Sequence, residues 1–429
     1  MRVAVIGGGY AGMAAAVTLA DAGVPVTVYE AAAQLGGRAR RVVVRDVALD
    51  NGLHILLGAY RDTLRLIRKV HPRPDETLAR LALDWRVHDR FSLKAPRLPA
   101  PLNSAVALLT ARGAPLRERL RAARFMNTMR ARRFRLDSDT TVEALLAAQG
   151  QGPALTRYLW NPLCVAALNT PAQRASGQVF LNVLRDALFG TADAADILLA
   201  RADLSSLFPE PAAAFVCARG GSVVTAHSVE PIEHVGNSVR VSARAQTRDY
   251  DHVICAVSPH RAAALLSHVP ALARAIEALQ RFTYEPIYSV YLQFSSAVRL
   301  PAPMLGLEGI AHWVFDRDAI CGQTGLLGAV ISGAGEHEAL EQDALARAVH
   351  EQLERALGAL PALLWHRVIA EKRATFGCAP DLVRPSTRTP LDNVHLAGDY
   401  TASDYPATIE TAVRSGIAAA TQVLQTRTI

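Results

Sequence analysis

The chain has 429 residues, half of them hydrophobic and a fifth charged, and its net charge of +7 comes almost wholly from arginine. That size and balance describe a globular protein of two or three domains. They exclude several classes. The five cysteines are scattered, odd in number and form no CxxC pair, against disulfides and zinc, and no apolar run reaches the ~18–20 residues of a membrane-spanning helix. The chain opens on a strand-like run with no signal peptide before it, so a cytoplasmic location is expected.

Residues 2–6, RVAVI, read as a short buried strand, and the GGGYAG after it fits G-x-G-x-x-G with Gly7, Gly9 and Gly12, Ala11 lying in the same turn. A helix of small residues follows and closes at Gly23; PVTVYE is a second strand ending in Glu30. This is a βαβ unit of the length that binds a dinucleotide. Gly7 permits the tight turn, Gly9 lets backbone approach a pyrophosphate, and Gly12 lets helix and strand pack. The helix amides face the phosphates. Glu30 accepts bonds from ribose hydroxyls and would repel a 2′-phosphate.

AAAQLGGRAR follows directly, placing the flexible backbone of Gly36 and Gly37 and the guanidinium of Arg38 near the same pyrophosphate. DNGLHILLGAY, 50–60, is a turn leading into a buried run with one histidine, His54, read either as a core residue or as a proton-handling group. Residues 85–215 read mostly helical. Within them 112–135 carries nine arginines against one glutamate, and Leu116, Leu120, Ala123 and Met126 fall on one helix face. That stretch is a solvated covering helix or one lying on anionic lipid; no nucleic-acid module accompanies it.

CARGGSVVTAHSVEPI, 217–232, returns the chain to the nucleotide domain, and two runs within 239–259 read as strands completing its layer. Residues 280–376 mix strands and helices. In LLGAVISGAGEHEAL, 326–340, a strand runs into Gly333-Ala-Gly335, but Glu336 and Glu338 sit where phosphates and a third glycine belong, so no second nucleotide site is expected. The terminal NVHLAGDYTASDYPATIETAVRSGIAAA, 393–420, reads strand, Gly-Asp turn, loop and small-residue helix.

The βαβ unit, the GGR and the terminal VHLAGD together resemble the flavin-containing amine oxidase, protoporphyrinogen oxidase and phytoene desaturase superfamily. The resemblance implies FAD, with Gly7, Gly9, Ala11, Gly12, Glu30, Gly36, Gly37, Arg38, Gly398, Asp399, Thr408 and Ile409 at the cofactor. It implies an α/β fold: an interrupted Rossmann-type FAD-binding domain (1–84, 216–265, 386–429), a second α+β substrate domain (266–385) and a helical cap (85–215). More specifically, DNG-x-HILLGAY-R, NPLCVAALNTP, AEKRATF and LAGDYTASDYPATIE resemble the squalene-associated FAD-dependent desaturases, understood as hydroxysqualene dehydroxylases of bacterial hopanoid pathways. The family commonly has Gln where this chain has Leu53.

That narrower resemblance implies an isoprenoid substrate, hydroxysqualene, reduced to squalene by flavin hydride transfer to an allylic cation, with His54 at the flavin. Asp50, Lys372 and Tyr405 are further candidate acids, and Trp160, Phe180, Leu181, Leu184, Tyr288 and Tyr291 are candidate lining residues. Asn161 and Pro162 are expected to end a helix at the channel. Electrons are expected from an external donor such as NADPH or a reductase, and no nucleic acid is expected as partner. A bilayer-borne substrate favours peripheral contact with the inner face of the cytoplasmic membrane. An isoprenoid desaturase and an amine oxidase are the alternatives. Thr408 stands where amine oxidases place the second of two facing rings, which counts against the latter.

Overall fold

A computed structural model describes residues 1–99, 101–191 and 193–426, so the last three residues of the expected terminal segment lie outside it. Its nucleotide-binding half is built around a five-stranded parallel sheet. The order across the sheet is Ser222–Val224, Val26–Tyr29, Val3–Ile6, His252–Cys255 and Val394–Leu396. The strand residues are almost all apolar and buried, because helices cover a parallel sheet on its faces.

Two of those helices set the thickness of the layer. Tyr10–Asp21 is buried at ten of its twelve residues, mostly Ala, Val and Gly, and Ile409–Gln425 lies against it. Small residues let the two backbones approach: a Cβ on Gly416 would overlap the Ala11 carbonyl oxygen. Ala11 thus holds the terminal helix in place, whatever it contributes to a ligand.

A seven-stranded sheet forms the other half, in the order Leu363–Phe376, Tyr284–Phe294, Leu326–Ser332, Trp313–Asp316, Met304–Gly306, Asp84–Val87 and Phe91–Lys94. Its two long strands pair antiparallel from Tyr284–Phe376 to Phe294–Leu363. The glycine-rich decoy strand Leu326–Ser332 pairs antiparallel on both sides, which is not the parallel setting of a nucleotide fold. Helices between Leu102 and Phe189 form a layer whose buried side chains share one core with residues of both halves.

Three details differ from the sequence reading. Of the strands expected between 239 and 259, only His252–Cys255 joins the parallel sheet; Ser238–Ala243 and Gln246–Tyr250 form a separate antiparallel sheet with Glu233–Val235, where polar residues face solvent. Asn161 and Pro162 lie where a π turn, Thr156–Trp160, passes directly into the helix Asn161–Leu168, so the chain stays helical through them. The Arg-rich helix Leu116–Ala131 buries Glu118, Ala122, Phe125, Met126 and Met129, so Met126 points inward while Leu116 and Leu120 are exposed.

Candidate active site

The first turn after Val3–Ile6 carries two glycines with opposite needs. Gly7 has φ +113°, and a Cβ on Gly12 would overlap the Gly7 carbonyl oxygen. Both are fixed by the fold itself. Gly9 is different: a Cβ there would meet nothing closer than Gly37 Cα at 3.8 Å. Its backbone is extended, which any residue adopts (φ −78°), and no side chain caps the helix it begins. The bare backbone is left open beside an uncapped helix amino terminus, the setting that suits an anion.

The second glycine pair closes this cradle. Gly36 and Gly37 have φ +116° and +61°, and the Gly36 amide donates to the Gly8 carbonyl at 3.0 Å. Glu30 ends the second strand with its carboxylate accepting from the amides of Gly8 at 2.7 Å and Ala32 at 2.8 Å. An open glycine cradle, free helix amides and an acid at the second strand end are the features a dinucleotide cofactor requires, so the residues fit FAD.

Arg38 runs from this cradle to the carboxyl-terminal turn. Its guanidinium donates to the Ala374 carbonyl and to the Asp399 carboxylate, each at 2.6 Å. Arg38 thus ties the cradle to the carboxyl-terminal turn. Gly398 donates its amide to Ser415 Oγ at 2.7 Å, tying the turn to the terminal helix. Thr408 caps that helix, accepting from the Thr411 amide, and leaves the amides of Ile409 and Glu410 in the first turn without a side-chain cap.

Two residues in this region carried no recognisable sequence signal. Arg384 donates to four backbone carbonyls, those of Asp399, Tyr400, Ser403 and Tyr405, and so holds the loop after the Gly-Asp turn. Glu410 is buried in the first turn of the terminal helix. Its carboxylate accepts from the amides of Asp62 and Thr63 and from the Thr63 hydroxyl, capping the helix Arg61–Val70 from a distance. A motif fixes local spacing only, so the Glu410 contacts, 347 and 348 residues away, leave no trace in it.

The segment DNGLHILLGAY is anchored at both ends. The Tyr291 hydroxyl donates to the Asp50 carbonyl at 2.8 Å and accepts from its amide at 3.2 Å. Leu56 and Leu57 form a strand edge against Ile197–Ala200. Leu53 lies over Gly328 of the large sheet, where a Cβ would stand 2.6 Å from its methyl group. The position where relatives carry glutamine is thus an apolar contact.

Between these anchors Asp50, His54 and Arg317 line a cavity the size of about one water, whose other walls are Leu53, Leu199, Ala200, Leu204, Phe315 and Ile320. Asp50 Oδ1 accepts from the Leu204 amide at 2.8 Å, and its Oδ2 lies 4.0 Å from the Arg317 guanidinium. Arg317 is itself buried, with Nε donating to Gln323 Oε1 at 2.9 Å. Burial outweighs the nearby Arg317 charge and the Leu204 amide, raising the Asp50 carboxyl to about 6. His54 Nδ1 bonds the Gly52 carbonyl at 2.7 Å. A carbonyl only accepts, so Nδ1 carries the proton and Nε2 a lone pair. Burial, helped by the Arg38 charge, holds the ring below the ordinary histidine range, against the pull of the Gly52 carbonyl. His54 is thus held neutral, while the Asp50 carboxyl is raised.

The other sequence candidates lie elsewhere. Lys372 is exposed on its strand. The Tyr405 hydroxyl donates to Asp186 and accepts from Arg185. Trp160, Phe180, Leu181, Leu184, Tyr288 and Tyr291 are all buried, and none of them lines the Asp50 cavity.

Comparison with known proteins places the chain in a family. The family model of flavin containing amine oxidoreductases covers residues 10–424. Hydroxysqualene dehydroxylase of Rhodopseudomonas palustris is 30% identical over 98% of both chains, and that of Zymomonas mobilis 26% identical over 97% of both. Among solved structures, cyclohexylamine oxidase from Brevibacterium oxydans superposes with a TM-score of 0.70 at 19% identity, covering 100% of this chain and 99% of that one. The chain belongs to the flavin containing amine oxidoreductases, as an FAD-dependent oxidoreductase whose full-length relatives include the hydroxysqualene dehydroxylases.

Proposed function

We propose that this enzyme removes the allylic hydroxyl of hydroxysqualene to give squalene. The observation that carries the reading is the likeness to hydroxysqualene dehydroxylase over 98% of both chains. The Asp50 cavity supports a chemical course for it. The allylic C–O bond breaks as the Asp50 carboxyl gives its proton to the departing oxygen, which leaves as water. His54 Nε2 accepts a hydrogen bond from the substrate hydroxyl and orients it, and Arg317 steadies the carboxylate that remains. The leucines, Phe315 and Ile320 keep bulk water from the Asp50 carboxyl. Bound FAD, when reduced, supplies the hydride that the carbon takes up.

The Gly7–Gly12 and Gly36–Gly37 loops would hold the pyrophosphate, Glu30 the ribose, and the Arg38–Asp399 pair the turn beside them. The electrons come from an external donor of the NADPH or reductase class, and the product is released toward a lipid phase. The reading is tested anaerobically with reduced enzyme. Hydroxysqualene should return the absorbance of oxidised flavin, one flavin per squalene formed, and squalene should not. Reduction of oxidised enzyme by squalene or phytoene, with added double bonds, would mean desaturation; reduction by an amine would mean amine oxidation.

A further inference from the structure

Eleven large hydrophobic side chains are exposed among the described residues, and five of them fall between 98 and 120: Leu98, Leu102, Leu109, Leu116 and Leu120. Leu102 and Leu116 are the most open of the five, at 59% and 57%. They belong to two helices, Leu102–Thr110 and Leu116–Ala131, that pack on each other; Arg119 donates to the Leu109 carbonyl at 2.6 Å and ties them. The connection is fixed to the large sheet through paired bonds between Ser92 and Arg112. The leucines therefore stand on a braced surface.

The exposed charges of the two helices and their connection have one sign. Arg97, Arg112, Arg117, Arg121 and Arg124 are exposed. The ion pair made by arginines of this stretch, among the described residues, is Arg132–Asp137 further on. The single acid of the second helix, Glu118, is turned inward, where it accepts the Leu155 amide at 3.0 Å. An exposed helix face with leucines and unpaired arginines, and no acid, suits neither water nor another soluble protein's mixed surface. It suits an interface that is apolar within and phosphate-rich at its rim. Among the described residues no helix is long and apolar enough to cross a membrane, so this surface would lie on one.

We infer that the Leu98–Arg124 face docks the enzyme on the surface of an anionic lipid bilayer, leucines inserted and arginines on phosphates. The inference stands on this surface alone, and an isoprenoid substrate dissolved in the same bilayer gives it a use.

The test is flotation of the FAD-loaded, full-length protein with vesicles of phosphatidylcholine alone or mixed with phosphatidylglycerol, no substrate being present. The protein should float with the mixed vesicles and at least tenfold less with the neutral ones. Combined Arg117→Glu, Arg121→Glu and Arg124→Glu should lower flotation at least tenfold, and Leu116→Ser with Leu120→Ser should do so at unchanged charge. All five side chains are exposed, and unchanged flavin absorbance reports intact folding. Absence of flotation in either vesicle overturns the inference. So does full flotation of the leucine variant: binding by charge alone, matched by equal retention on duplex DNA, would make the face a general polyanion contact.

Discussion

Gly9 and Gly12 sit three residues apart in one turn, yet only Gly12 is required by protein packing. A Cβ on Gly12 would overlap backbone, whereas one on Gly9 would find space. Gly9→Ala should therefore leave the apoprotein within about 0.5 kcal/mol of its stability while weakening FAD binding at least tenfold. Gly12→Ala should lower the melting temperature of the apoprotein as well. Thermal unfolding with and without FAD separates the two. At the same scale, Asp50→Asn keeps the Leu204 contact and loses the proton. Squalene formation should fall ~10²–10⁴-fold with flavin content unchanged. With the Asp50 carboxyl raised to about 6, its protonated form is populated below that pH, so wild-type turnover should decline as pH rises through about 6. Asp203, Arg41, Arg317, His54 and Tyr291 surround it, and steady-state rates across pH in the variant should lack that limb. The glycine turns and the acid ending the second strand were legible because each answers a local backbone demand. Asp50 and His54 were named as candidates from their segment, but their partners Arg317 and Gly52, and their burial, are encoded by no short motif.

Single contacts between distant elements decide whether the site is assembled. Glu410 caps the helix Arg61–Val70 from the terminal helix, and its removal would strand three donors. Glu410→Ala should cost about 1–3 kcal/mol and shift flavin affinity with it, read by denaturant unfolding and flavin titration. The strands of the parallel sheet at 3–6, 26–29, 252–255 and 394–396 could be read from short apolar runs beside turn residues. The hairpin Ser238–Ala243 with Gln246–Tyr250 was misplaced because alternating polarity gives the strand but not the sheet it joins. Tertiary packing likewise decided the Arg-rich helix. Its inner stripe runs through Glu118, an acid that the sequence pattern assigns to water.

Across the whole molecule, the nucleotide-binding sheet is stitched from segments nearly 400 residues apart, and its terminal strand carries a buried histidine. His395 bonds Gln422 at 3.1 Å and stacks on His252 with ring centroids 6.0 Å apart. Burial first, then the neighbouring His252, depresses it to about 4. A depressed histidine stabilises the fold above its unfolded pKa of roughly 6.5, and that contribution is lost as pH falls toward about 4. The difference corresponds to ~3 kcal/mol. His395→Leu should flatten the dependence of stability on pH between those values, as measured by denaturant midpoints. Similarity of fold to amine oxidases extends over the entire chain, so architecture alone leaves the reaction open. The proposed distinction lies in the cavity, where the Asp50 carboxyl, raised to about 6, stands among largely apolar walls.

The most direct test of that claim is mass spectrometry of the product formed from hydroxysqualene by enzyme loaded with reduced 5-deaza-FAD deuterated at C5, a position whose label, unlike that on flavin N5, does not exchange with water. One deuterium at the carbon that carried the hydroxyl, with squalene yield collapsing in Asp50→Asn, is the result this account predicts. Squalene without deuterium, or an unchanged yield in the variant, would contradict it.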